Sequence, residues 1–237
     1  MSSVFKFKEF TILQEKSALK VGTDSMLLGS LIEPSHAANG LDLGAGTGVL
    51  ALMIAQKFKD ITVDAIESDY DSYLECCTNF KNSPWSNRLK AHLGNYFDYF
   101  KTETYDLVFA NPPFYIELER NIKSSNILTK HTDLDELSRL ISLVSGHLSA
   151  KGVFWIIVPF SIHEYILEES KLNNLYINKI IVVNSKITKR NTRVIMSFSF
   201  IEKSINQREF TIRNQDNSYT KEYISLTRDF HFKTLDN

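Results

Sequence analysis

The chain has 237 residues, of which 43 % are hydrophobic and 23 % charged; that apolar content excludes a chain disordered by composition and suffices for a full core. The formal net charge of −1 excludes a globally cationic nucleic-acid binder and leaves any polyanion contact to a local basic patch. Cys76 and Cys77 are the two cysteines; adjacency excludes a mutual disulfide, no Cys or His cluster accompanies them, and no metal site is expected.

Residues 1–39 read as an N-terminal extension. Lys6, Lys8 and Glu9 interrupt any basic-then-apolar leader, and no apolar run approaches the roughly 20 residues that span a bilayer. A soluble, cytoplasmic protein is therefore expected. Leu19, Lys20, Val21, Gly22, Thr23, Asp24 and Ser25 precede a helix over residues 26–32, with Thr23 or Asp24 as the expected cap.

From residue 40 short apolar strands alternate with amphipathic helices. A strand over 40–43 runs into Gly44, Ala45, Gly46, Thr47 and Gly48, and a helix over 49–58 follows with Leu50, Ile54 and Phe58 on one face. Glycines in such a turn let the backbone bend tightly and approach a ligand without a Cβ in the way. The spacing is G-x-G-x-G, not the G-x-G-x-x-G of dinucleotide sites, which disfavours a hydride-transfer enzyme. Residues 62–67 alternate as a strand ending on Glu67, 19 residues beyond Gly48, where a carboxylate accepts hydrogen bonds from both hydroxyls of a ribose. Asp42 before the turn and Glu67 after it together point to a nucleoside-type cofactor.

Ser68 or Asp69 caps the next helix, which runs to about residue 81. A weaker strand over 89–93 leads to Gly94 and Asn95. Residues 106–110 are nearly all apolar, as in a strand buried on both faces. Asn111, Pro112, Pro113 and Phe114 follow it directly, on the side of the sheet where ligands bind. An exocyclic amine on an aromatic ring gives its lone pair to the ring and is a poor nucleophile. Two acceptors on its N–H groups favour a pyramidal nitrogen and aim the lone pair. The Asn111 side-chain oxygen and the Pro112 carbonyl supply them; proline fixes φ and so aims that carbonyl in advance. Phe114 offers a face for a flipped base. The polar segment 121–130 is expected to order over the substrate.

A helix over 135–148, capped by Thr132 or Asp133 and closing at Gly152, precedes a strand over 153–159. A helix over 162–172 and two strands, 176–183 and 193–202, follow; with no helix between them the last two form a hairpin, so the final strand runs antiparallel. From Lys179 to Arg213 eight basic residues face two acidic ones, a local excess of six. The loop joining the two strands lies at the carboxyl end of the sheet, where Lys186, Lys189, Arg190 and Arg193 could hold RNA phosphates. No composition shift marks a linker. One domain over 1–237 is expected, with its core at 40–203 and a C-terminal tail at 204–237.

The segment from Asp42 to Gly48 resembles the first motif of the class I S-adenosylmethionine methyltransferases, a Rossmann-like, seven-stranded doubly wound α/β fold with its last strand antiparallel. The resemblance implies that Gly44 and Gly46 lie against the methionine end of S-adenosylmethionine, that Asp42 supports the loop and that Glu67 holds the ribose. Asn95 stands where many members carry Asp, with one acceptor and a charge lost. Lys20, Gly22, Thr23, Gly48 and Asn111 complete the implied cofactor set. Asn111 to Phe114 resembles the catalytic motif shared by N6-adenine and glutamine-amide methyltransferases. With residues 19–25, the segment Lys189, Arg190, Asn191, Thr192 and Arg193, and the C-terminal Phe210, Thr211, Ile212, Arg213, Tyr219, Thr220, Leu226, Thr227, Arg228, Asp229 and Phe230, the chain is similar to the tRNA1(Val) adenine-37 N6-methyltransferase family over nearly its whole length. The resemblance implies methyl transfer to N6 of the adenine 3′ of the anticodon, with tRNA as partner and no membrane or obligate protein partner. The alternatives are a protein glutamine N5-methyltransferase, whose separate N-terminal helical domain has no counterpart in the roughly 40 residues before the glycine turn, a DNA adenine methyltransferase, and a non-catalytic RNA-binding protein on the same fold.

Overall fold

Strands in this chain are short, β-branched and buried, and the helices between them cover both faces of the sheet they make. The computed structural model describes residues 3–17, 19–33, 36–99, 103–112, 127–189 and 191–232, excepting the side chains of 127–133. The elements are β1 (Val4–Lys6), β2 (Thr11–Leu13), α1 (Thr23–Leu31), β3 (Asn39–Leu43), α2 (Val49–Lys57), β4 (Thr62–Glu67), α3 (Tyr70–Lys81), β5 (Leu89–Leu93), β6 (Tyr105–Ala110), α4 (Ile127–His147), β7 (Leu148–Pro159), α5 (His163–Leu172), β8 (Tyr176–Asn184), β9 (Arg193–Ser199), β10 (Asn206–Thr211) and α6 (Lys221–Thr227).

The main sheet has the order β10-β8-β9-β7-β6-β3-β4-β5, and β1 and β2 form a separate antiparallel pair. Every pairing in the main sheet is parallel except those of β9, which runs antiparallel between β7 and β8. The expected hairpin and antiparallel final strand of the core are thus present. The sheet has eight strands rather than seven, because β10 adds itself in parallel to β8, Phe210 opposite Val183. Residues 204–232 are therefore more than a tail. Phe210, Ile212, Tyr223 and Phe230 are all buried in the same cluster as α1 and α2.

Two cores lie on opposite faces of the sheet. One packs α1 and α2 against β4, β6 and β7; the other packs α4 and α5 against β3, β6, β7 and β8. Seven consecutive residues of α2, Val49 to Ala55, are buried, as are seven of α1, the pattern of helices sandwiched on all sides. At the switch point the chain leaves β3 to one side for β4 and later returns to the other side for β6. Leu43 pairs with Ala110 there, so the glycine turn and Asn111 leave neighbouring strands at the same level, where open α/β sheets bind ligands.

Three local expectations change. α1 begins at Thr23 and its cap position is Gly22, with no side-chain capping bond. α4 begins at Ile127, eight positions earlier than the sequence pattern implied. Gly152 does not close that helix. It lies inside β7, where the register with β6 shifts, and a Cβ there would come within 2.8 Å of Leu148 and of the Tyr105 carbonyl.

Candidate active site

Gly44, Gly46 and Gly48 all have positive φ, at 72°, 55° and 81°, the left-handed region where an L side chain is strained. A Cβ on Gly46 would meet nothing within 4 Å, and on Gly44 only the Tyr96 ring at 4.0 Å. Gly48 is different. A Cβ there would come within 2.5 Å of Phe80 and 2.7 Å of the Cys76 Sγ, so its missing side chain serves the packing of α2 on α3. It lines neither cavity described below.

Glu67 fastens the turn from the next strand. Its Oε2 accepts from the Gly46 N–H at 2.7 Å and its Oε1 from the Asp69 N–H at 2.7 Å. Asp42, fully buried, accepts from the Ala51 N–H at 3.2 Å, capping α2 in place of the side chain Gly48 lacks. Burial pushes its carboxyl up from 3.8 to about 8, opposed by the Ala51 bond and reinforced by the charge of Glu67.

Two cavities meet over this turn. One, of about 260 Å³, is lined by Lys20, Gly22, Thr23, Ser25, Gly44, Gly46 and Asn111 among others; the second, of about 490 Å³, runs from Gly44 and Gly46 past Glu67 to Asn95, Tyr96 and Phe97. Leu19, Gly44 and Gly46 line both. The geometry is that of one elongated cleft, with two polar acceptors on Glu67 at its middle and two aromatic rings at one end. Burial and the charges of Glu136 and Glu67 push the Tyr96 hydroxyl up, so it stays a neutral phenol.

The sequence-predicted residues fall into this cleft unevenly. Lys20 borders it, and its ammonium donates to the Gln14 and Glu15 carbonyls at 2.5 and 3.1 Å, neutral acceptors that fix its position and leave its charge in place. Asn95 borders the aromatic end, and its Oδ1 accepts from the Phe97 N–H at 3.0 Å. Asn111 borders the glycine end. Its Nδ2 donates to the Ser25 Oγ at 3.2 Å, while its Oδ1 is buried with no hydrogen-bond partner among the described residues. An unmatched buried acceptor costs about 1–3 kcal/mol; at the mouth of a ligand cleft that cost is recovered when a donor arrives. Pro112 is buried beside it. Pro113, Phe114 and the segment 121–126 lie outside the described residues.

Sequence reasoning missed what holds the cleft's outer wall. Glu75, buried on α3, accepts from the N–H groups of Glu15, Lys16 and Ser17 at 2.6, 2.7 and 3.0 Å. Asn79, one turn on, accepts from the Leu13 N–H and donates to the Leu13 and Thr47 carbonyls. The available signal was Ser72, Glu75 and Asn79 at spacings of three and four, a polar stripe on the buried face of a helix.

A third cavity, about 910 Å³, lies next to the cleft and shares Thr23 and Asp24 with it. Lys186, Lys189 and Arg193 line it as the basic hairpin implied, joined by Arg213 and Tyr219 from beyond β10; Arg190 lies outside the described residues. The excess of charge is smaller than the sequence count. Arg193 pairs with Asp24 at 3.0 Å, Lys179 with Glu33 at 2.5 Å and Arg208 with Glu222 at 2.5 Å. Arg193 thus ties β9 to the first turn of α1, one residue before Ser25.

Comparison with known proteins agrees with this geometry. Residues 16–174 match the model of the methyltransferase small domain family. A tRNA1(Val) (adenine(37)-N6)-methyltransferase from Flavobacterium psychrophilum is 35 % identical over 97 % of this chain and 100 % of its own length. One of the same description from Flavobacterium johnsoniae is 36 % identical, again over 97 % of this chain and 100 % of its own length. Among solved structures, a predicted O-methyltransferase from Agrobacterium tumefaciens superposes with a TM-score of 0.66 at 15 % identity, covering 87 % of this chain and 96 % of that one; at that identity the likeness is one of fold. An orphaned Asn111 acceptor at a glycine-turn cleft, and full-length relatives above 30 % identity, have one conclusion: the chain belongs to the tRNA1(Val) (adenine(37)-N6)-methyltransferase family.

Proposed function

We propose that the chain transfers a methyl group from S-adenosylmethionine to N6 of an adenine in tRNA, the adenine 3′ of the anticodon in tRNA1(Val). The observation that carries this reading is Asn111: one end of its amide is anchored on Ser25 and the other, Oδ1, is buried and unmatched at the cleft. The cleft fits the donor chemically. Glu67 has the acceptor pair for a ribose, Tyr96 and Phe97 border the position of an adenine with Asn95, and Gly44 and Gly46 leave the approach beside Gly22 and Thr23 open.

Bound there, S-adenosylmethionine supplies an electrophilic methyl on a positive sulfur. The protein's part is to position a weak nucleophile. Asn111 Oδ1 and the Pro112 carbonyl accept the two N–H groups of the adenine amine, draw the nitrogen out of conjugation and aim its lone pair; Phe114 stacks the flipped base. No general base is needed, because an aromatic amine that has just gained a methyl is strongly acidic and gives its proton to water. Lys186, Lys189 and Arg193 line the cavity beside the approach, Arg193 acting through Asp24; Arg190 joins this set on its place in the sequence alone. The same reading makes 1–237 one catalytic domain, cytoplasmic and monomeric; no helix among the described residues is long and apolar enough to cross a membrane.

Glutamine amides are planar too and use the same Asn-Pro-Pro geometry, so the test offers both acceptors. Purified protein with labelled donor is given unmodified tRNA and, in parallel, a glutamine-containing release-factor-like peptide. Label in the tRNA alone is expected. Label in the peptide with none in tRNA would replace this reading by glutamine N5-methylation.

A further inference from the structure

Of the basic residues around the third cavity, two are held by a single residue that no motif singles out. Asn217 lies in the turn after β10 and has φ of 71°. Its side-chain Oδ1 accepts from the Lys186 Nζ at 2.9 Å, and its backbone carbonyl accepts from the Arg213 Nη1 at 2.6 Å. The left-handed backbone lets one residue present both oxygens to two cations, one from the hairpin after β8 and one from just past β10. Lys179, Arg193 and Arg208 are neutralised by carboxylates. Lys186 and Arg213 are bracketed by neutral oxygens instead, so they are ordered without losing charge. Asp216, in the same turn, takes hydrogen bonds from the Ser218 Oγ and N–H, which with the nearby charge of Lys186 hold its carboxyl below the ordinary carboxylate value.

Arg213 is ordered further by stacking. Its guanidinium lies 4.0 Å from the centre of the Tyr219 ring, and Tyr219 stacks in turn on Tyr223 at 4.6 Å and 12°. A guanidinium fixed in its plane, with one N–H tied back, keeps its other donors in a rigid fork, the arrangement that binds phosphate with least ordering cost. Lys186 and Arg213 both line the cavity, with Lys189 on the same wall and Val183 and Ile212 beneath.

We propose that Lys186 and Arg213, bracketed by Asn217, form a phosphate site for the sugar-phosphate backbone of the substrate RNA next to the target adenine. The site rests on the tRNA reading above and assigns to the turn after β10 a role in holding the strand. Thr23 and Asp24 line both this cavity and the cofactor cleft, so a strand bound here stands beside the cleft that must receive its flipped base.

The test is the salt dependence of tRNA binding, measured for wild type, Arg213→Ala, Lys186→Ala and a control, Arg208→Ala, whose partner is Glu222. Neutralising one phosphate contact lowers the slope of log K against log salt by about one. Each of the first two variants is expected to weaken tRNA binding about tenfold at moderate salt, the size of one lost charge-assisted bond, and to flatten the slope. Affinity for S-adenosylmethionine should stay at the wild-type value, since neither residue lines the cofactor cleft, and Arg208→Ala should leave the slope alone. Lys186 is on a half-exposed hairpin, so that variant decides the matter if Arg213→Ala proves unstable. Wild-type slopes and affinities in both variants would overturn the phosphate site while leaving tRNA methylation standing. Failure of the wild type to bind or methylate any tRNA would overturn the tRNA reading and the site with it.

Discussion

Asn111 has an asymmetric amide environment, and the asymmetry gives its two neighbours different expected effects. Asn111→Ala removes an acceptor used in the reaction and should lower kcat by about 10²–10³-fold, the usual loss for one preorganised catalytic hydrogen bond. Ser25→Ala leaves the amide in place but free to turn, and should lower kcat by about tenfold, one neutral hydrogen bond. In both, calorimetry should find donor affinity changed less than turnover; equal loss in Kd and kcat would mean that the pair holds the cofactor only. Asp42 gives a pH prediction. Its folded pKa is raised to about 8 from 3.8, so the unfolded chain ionises first, and the stability the neutral carboxyl contributes is lost as pH rises toward 8. Asp42→Asn keeps the shape without the titration, so its Tm should fall less than wild type between pH 5 and pH 8. Parallel profiles would show that Asp42 does not titrate there. Asn111, Glu67, Gly44 and Gly46 stood out in the sequence because each belongs to a local motif; Gly48 shares that motif but lies against Phe80 and Cys76 instead of the cleft. Asp24 was not: an acidic residue before an apolar run reads as a cap, and its partner Arg193 is 169 positions away. Ser25 has no signature of its own, since its role exists only once β6 brings Asn111 beside α1.

Elements show the same division between local pattern and long-range partner. β3 to β7, α2 and α3 were readable because periodicity and buried apolar runs are local signals. β10 was read as tail because four of its six residues are exposed and polar, as an edge strand often is; what makes it a strand is the edge of β8. The segment joining β2 to α1 was readable as a motif but not as a wall, because Glu75 and Asn79 hold it from another element. Glu75→Ala leaves three backbone N–H groups without their acceptor and should cost about 3 kcal/mol. Since Ser17 and residues 19–23 line the cofactor cleft, the variant should also bind S-adenosylmethionine more weakly. Denaturant unfolding and calorimetry check the two effects; a stability loss with unchanged donor affinity would confine Glu75 to folding.

At the scale of the whole molecule, the glycine-turn cleft lies at the switch point between β3 and β6, and the proposed RNA site lies on segments far along the chain. The hairpin between β8 and β9 and the segment just past β10 come late in the chain and yet line the cavity beside the cleft. Truncation after residue 203 would strip Phe210, Ile212, Tyr223 and Phe230 from the core, at about 1.5–3 kcal/mol for each large apolar side chain. The shortened chain should lose cooperative thermal unfolding; a sharp transition near the wild-type Tm would contradict the account of β10 as part of the fold. The central claim concerns the product. Unmodified tRNA is incubated with the protein and S-adenosylmethionine, then digested to nucleosides and analysed by mass spectrometry. The account predicts N6-methyladenosine from wild type and a large loss of it from Asn111→Ala. Methylation at another atom of adenine, or on another base, would contradict the role assigned to Asn111 and Pro112.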